Sequence, residues 1–321
     1  MLVVIVGGIS IGVVFLLGCV GEILTEKSGH LNLGIPGIMC MGAAGGCYTT
    51  SLYINSLPTA DSASWLVLVL VAVLGATITG ALGGLIYAVL TVSLRANQNV
   101  TGLALTTFGA GFAQFVMDTY VDRTRFSAAS KIIRYSIIGN ADWGWFGKIF
   151  LGHGILVYLA IAIAVTSAIV LKRTRVGLNL RAVGENPATA DATGINVTAY
   201  KYGAILTGSA IAGLGGVFYI LDYIGGSWEN ASTIEGLGWL AIALVIFTLW
   251  KPDLSILGSF LFGMLYIASS GITGVSFNVM KLLKLLPYVV TVIVLIVTSI
   301  LDSKENQPPA SLGLNYFREE R

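Results

Sequence analysis

This sequence has little charge: Asp, Glu, Lys and Arg make up 11% of its 321 residues. A soluble domain of this length needs a charged, polar surface, so the composition excludes one. Histidine is scarcer still. His30 and His153 stand alone, with no second His or carboxylate three or four residues further on. That spacing argues against a metal centre and places both rings near span ends. No G-x-x-x-x-G-K-[ST] phosphate loop is present, so ATP and its Mg must be handled by another chain, and no cofactor is expected in this one. The three cysteines, Cys19, Cys40 and Cys47, all fall in apolar runs, where a thiol behaves as a small hydrophobe rather than as part of a disulfide framework. No Ser/His or paired-Asp constellation lies at membrane depth, so no catalytic residue is assigned and the chain is not expected to be an enzyme. The start lacks a positive n-region and a small-residue cleavage site, which reads as a retained first span. The net charge of +2 is silent about partners, and nucleic acid is not expected among them.

What is present is apolar. Residues of that kind form 55% of the chain and the mean hydropathy is +0.85, which indicates a polytopic membrane protein. Apolar runs at 1–24, 34–54, 65–94, 99–117, 153–171, 200–222, 234–250, 254–273 and 285–301 are each long enough to cross roughly 30 Å of hydrocarbon at 1.5 Å per residue. The expected fold is an all-α transmembrane helix bundle of about nine spans, one domain over 1–301 with a tail over 302–321. Small residues recur four apart at Gly8/Gly12, Gly42/Gly46, Gly80/Gly84, Ala212/Gly216 and Ser259/Gly263, the spacing that lets helix backbones approach closely in lipid.

One polar, basic insert breaks the pattern: Lys172–Tyr200, between two long apolar runs. A mere connection would need only a handful of residues. Asn186-Pro187 reads as an N-cap followed by Pro at the first helical position, and Gly194 as the residue just past the helix end, enclosing about two turns. Asp191 is the one acid inside. Lys172, Arg173, Arg175 and Arg181 crowd the upstream arm and mark that side as cytoplasmic. Alternation then puts the N-terminus outside and the tail inside, with most of the 18 basic residues on the inner side. A capped surface helix held against the inner leaflet is a docking element.

Acids within the spans are few. Glu22, Asp222 and Glu235 sit near span ends, where they are expected to snorkel to the interface; ion-coupled transport, which needs buried acids, is disfavoured. Three sequence stretches now justify a comparison: Thr25–Ala43 (TEKSGHLNLGIPGIMCMGA), Leu94–Thr106 (LRANQNVTGLALT) and Gly177–Val197 (GLNLRAVGENPATADATGINV). They resemble the permease subunits of bacterial ABC importers for nucleosides and simple sugars, the superfamily that includes branched-chain amino acid and ribose permeases. The likeness runs over most of the chain and is greatest to the shorter nucleoside permease.

The resemblance implies a bacterial cell-membrane location and a set of partners. These are a second homologous permease, a cytoplasmic ATPase with two nucleotide-binding halves, and an extracellular substrate-binding lipoprotein that delivers a nucleoside. In that scheme the 187–193 helix is a coupling helix seated in the ATPase. Glu185, Asn186 and Pro187 would anchor its start, Asp191 would lie within it, Gly194 would make its turn and Arg181 its arm. For the substrate pathway, Asn32, Asn97, Asn99, Thr101 and Thr106 offer neutral donors and acceptors suited to a ribose or base edge, and Phe108 offers a ring that could stack. Gly34 and Gly37 would permit a broken backbone with N–H groups facing a cavity. Capping and interhelical hydrogen bonding serve the same polar residues equally well, and packing serves the phenylalanines. The segments 118–152, with Trp143 and Trp145, and 223–234, with Trp228 and Glu229, would form the outer landing platform. A monosaccharide permease, and more remotely an ion-coupled transporter or a membrane scaffold, are the competing readings.

Overall fold

The computed structural model describes residues 2–134, 143–271, 278–279, 282, 285–301 and 307–317. Among these every regular element is a helix. They run α1 (Leu2–Glu26), α2 (Ile35–Asn55), α3 (Trp65–Ala88), α4 (Gln98–Tyr120), α5 (Arg123–Ile133) and α6 (Gly144–Phe146). Then follow α7 (Ile155–Arg173), α8 (Arg175–Glu185), α9 (Pro187–Ala192), α10 (Val197–Phe218), α11 (Ser232–Phe247), α12 (Pro252–Gly271) and α13 (Leu286–Leu301). Each apolar run is found as a helix. Five helices, namely α1, α3, α4, α7 and α10 with its extension, are long and apolar enough to cross a bilayer, and parts of α11, α12 and α13 are shorter apolar helices. The chain is a multi-pass membrane protein.

Glycine decides the core. α2 lies in the middle of the bundle against α3, α4, α10 and α11, and its Gly, Ala, Cys and Thr content makes it less apolar than α3, α10 and α11 but thin enough to be surrounded. The small-residue pairs mark the contacts. Gly8 and Gly12 meet Met264 and Ser259 of α12, Gly42 and Gly46 meet Gly213 and Val217 of α10, and Gly80 and Gly84 meet Ser209. Gly216 is the tightest, since a methyl there would overlap the Met39 carbonyl of α2. The cysteines are free and buried, as small hydrophobes should be.

α11 stops earlier than its apolar run. Leu249 and Trp250 adopt φ of 55° and 56°, the left-handed region, costing about 1–2 kcal/mol each. Burial of the Trp250 ring and donation by its Nε1 to the Glu26 carboxylate hold the reversal in place. α11 is left with 16 residues, about 24 Å of helix.

Several expectations are corrected. Glu22 does not snorkel: it is 0% exposed, because the turn after α1 folds over it and the Asn32 N–H donates to its Oε1 at 2.9 Å. Asp222 is buried too, in the π-helical turn Tyr219–Tyr223 that ends α10. The absence of buried acids therefore no longer argues against ion coupling. Trp228, expected on an outer rim, is buried, while Trp143 and Trp145 are exposed. His30 and His153 are likewise inside rather than interfacial. In the 118–152 segment the described parts are α5, α6 and a π turn, Gly147–Leu151. Residues 135–142, Lys281, Lys284, 302–306 and 318–321 lie outside the described residues.

Candidate functional site

The expected surface helix is present as α9, six residues long rather than two full turns. Its start is closed by Asn186, whose Oδ1 accepts the Thr189 N–H at 2.9 Å, with Pro187 at the first helical position. Its end is a Schellman motif. The Ile195 N–H reaches the Ala190 carbonyl at 3.1 Å, the Gly194 N–H reaches that of Asp191 at 3.0 Å, and Gly194 supplies the required φ of +87°. Both ends are satisfied by local bonds, so the helix is a preformed unit.

The upstream arm is itself helical. Thr174 caps α8 by accepting the Gly177 N–H at 3.2 Å, and Leu180 and Val183 turn inward while Arg181 and Glu185 face solvent. Val183, Ala190 and Val197 then join α8, α9 and α10 in a small apolar core of their own. Asn179 Nδ2 adds a 2.8 Å bond to the Tyr200 hydroxyl.

The chain's last described residues complete this corner, a role that the sequence reading did not give them. Gly184 accepts both the N–H and the hydroxyl of Ser311, at 3.0 and 2.5 Å. The Gly313 N–H donates to the Gly29 carbonyl at 3.1 Å, and Tyr316 donates its hydroxyl to Asp191 Oδ2 at 2.9 Å. Asn315 Nδ2 donates to the Arg95 carbonyl at 2.8 Å, and the Arg95 guanidinium lies 4.7 Å from the Phe317 ring centroid. Burial draws the Lys27 ammonium below its ordinary range, partly offset by the nearby Glu185 carboxylate. The tail is a strap over α8 and α9.

The polar residues assigned to a pathway divide into two groups. Asn32 is fully buried and folds on itself, with Oδ1 accepting the Gly34 N–H at 2.9 Å. Thr106 is buried and donates to the Leu33 carbonyl at 2.9 Å, and Thr101 is buried beside them. Gly37 packs against Leu105 and Thr106. The Gly34–Gly37 backbone thus faces no cavity, because α4 fills the space the broken segment was expected to open. Asn97 is the α4 N-cap, accepting the Val100 N–H at 3.0 Å. Asn99, Thr107 and Phe108 are exposed on α4, with Asn99 and Phe108 about 180° apart round the helix, and Phe108, 52% exposed, stacks on Phe112 with centroids 6.2 Å apart. Gln98, between Asn97 and Asn99, is buried: its Oε1 accepts the Leu31 N–H at 2.9 Å and its Nε2 reaches Asn315 Oδ1 at 3.2 Å, joining α1's turn, α4 and the tail.

Residues 4–298 match the family described as branched-chain amino acid transport system / permease component. The chain belongs to that family. Among curated proteins the permease is 33% identical over 307 residues to the nucleoside ABC transporter permease protein NupC of Lactococcus lactis, covering 93% of this chain and 92% of that one. It is 33% identical to the guanosine ABC transporter permease protein NupQ of Bacillus subtilis over 77% and 75% of the two chains. At 31% identity it also matches the putative glucose ABC transporter permease protein TsgC13 of Haloferax volcanii, over 78% of this chain and 72% of that one. An ABC importer permease, and thus a transport subunit rather than an enzyme, is what these relatives support. For the permease, membership replaces the lost argument from buried acids in setting ion coupling aside.

Proposed function

We propose that this permease carries nucleosides. It pairs with a second homologous permease in the bacterial cell membrane, receives its cargo from an extracellular binding lipoprotein and is driven by a cytoplasmic ATPase with two nucleotide-binding halves. The observation that carries this reading is the 33% identity, over nearly full length, to a permease named for nucleosides. Neutral groups exposed on α4, Asn99, Thr107 and Phe108, suit an uncharged ring and base, whereas an anionic cargo would call for Arg or Lys there. α9 is proposed as the coupling helix, seated in the ATPase with Glu185, Asn186 and Pro187 at its start, Asp191 within it and Gly194 at its end, and with Arg181 on the arm that carries it. Nine crossings, an outer N-terminus and a cytoplasmic C-terminus follow if α9 and the strap face the ATPase.

The test is ATP-dependent uptake into vesicles holding all subunits, with labelled guanosine, cytidine, glucose and ribose. Nucleoside accumulation that needs ATP and resists sugar competition supports the proposal. Uptake of glucose or ribose without nucleoside competition replaces it with a monosaccharide permease, and uptake without the ATPase removes the importer scheme altogether.

A further inference from the structure

A polar cavity of about 430 Å³ opens between the turn after α1, the end of α3, the start of α10 and the strap. His30, Arg95, Asp191, Asn196, Lys201 and Tyr316 are among its walls. Lys201 is the informative one. It is 3% exposed, it lines the cavity, and among the described residues no hydrogen bond or ion pair engages it. A buried ammonium without an anion is costly, so its surroundings are built for one that comes and goes. His30, buried beside it, has no partner for Nδ1. Burial, with a smaller push from Lys201, brings the imidazole down to about 3, so its neutral ring offers a hydrogen bond without adding charge. The cavity also contains the first turn of the 22-residue α10, where Asn196 caps the Ala199 N–H and leaves those of Val197 and Thr198 without intrahelical partners. The single acid among the described walls, Asp191, is already engaged by Tyr316.

We infer that this cavity binds a phosphate or phosphomonoester group, held by Lys201 and the α10 N-terminus and closed over by the strap. Because two cavity walls, Asp191 and Tyr316, are also the bond between strap and α9, occupancy bears directly on how firmly α9 is held. The site does not depend on which solute is carried.

Inorganic phosphate is the first probe, measured by equilibrium dialysis on the purified full chain in phosphatidylcholine nanodiscs. The second is enrichment of phosphatidic acid around the chain purified from mixed phosphatidylcholine and phosphatidic acid vesicles. Saturable phosphate binding that weakens about tenfold or more in Lys201→Met and survives in Lys201→Arg supports a free-phosphate site. Phosphatidic acid enrichment with the same mutational pattern assigns the group to a lipid headgroup. Asp191→Asn, which removes the opposing carboxylate, should tighten either ligand and guards against a Lys201→Met that merely misfolds. If neither probe binds, or if Lys201→Met and Asp191→Asn leave binding unchanged, the inference is wrong.

Discussion

The two ends of the bundle are held together differently. At the α9 end, groups far apart in sequence are stitched by short bonds: Tyr87 to Leu31 at 2.6 Å, Gln98 to Leu31 at 2.9 Å, Ser311 to Gly184 at 2.5 Å and Tyr316 to Asp191 at 2.9 Å. At the other end the described cross-links are fewer and mostly longer, with Arg125 to Leu57 at 3.3 Å and Asp122 to Ser51 at 3.4 Å, beside a 2.5 Å bond from Ser130 to Leu221. Trp143, Trp145, Phe146 and Phe150 stand exposed there. Under the proposed scheme the α9 corner passes on a push from the ATPase and is required to be stiff, whereas an edge that receives a visiting binding protein can stay loose.

Gly194→Pro should damage the stiff end most. Proline cannot adopt φ of +87° and lacks the N–H that reaches Asp191, so the Schellman closure is lost. ATP-driven uptake is expected to fall about tenfold or more, with the bundle still monodisperse and the ATPase lost on co-purification. Full retention of ATPase and transport would remove α9 from the role of lever. Truncation before Ser311 comes next. It deletes the seven described strap hydrogen bonds, worth about 1 kcal/mol each, and limited proteolysis should then cut between residues 172 and 200 faster than in the intact protein; an unchanged digestion pattern would show the strap to be ornamental.

A smaller effect is expected from pH. The folded His30 pKa of about 3 lies below the ordinary 6.5, so the unfolded chain binds the proton over that interval. Stability from this group is complete above 6.5 and is lost as pH falls toward 3, by up to about 1.4 kcal/mol per pH unit. Melting curves of the wild type should therefore steepen against those of His30→Gln below pH 6.5, and parallel curves would argue against a buried neutral ring. Asn186→Ala should cost about 1 kcal/mol through the lost cap, read as faster amide exchange over α9 alone. At the loose end, Asp222→Asn should change melting temperature and uptake little, since its Oδ2 accepts no hydrogen bond and only the attraction to the nearby Arg134 is lost. A collapse of uptake in that variant would return ion coupling to consideration.

How much of this was legible depends on the range of the interaction. Asn186, Pro187 and Gly194 announce α9 because a cap is settled within four residues, and Gly8/Gly12 or Gly80/Gly84 announce contacts because close approach needs small side chains whatever the partner. Thr174 with Leu180 and Val183 would have revealed α8 by the same local logic. Ser311, Asn315 and Tyr316 gave no such sign: their bonds run to positions 125 or more residues away, often to backbone, and backbone acceptors leave no trace in side-chain patterns. Glu22 was misread for a related reason. Hydropathy places a residue along a helix, but only the fold of the following turn decides whether water reaches it.

Gly216 resting on the carbonyl of Met39 leaves α2 and α10 no slack to slide past one another. Sliding of these two helices would have to break the tightest glycine contact among the described residues, so in the importer scheme proposed above the chain would tilt as one body, with its doorway along the rim rather than through its middle.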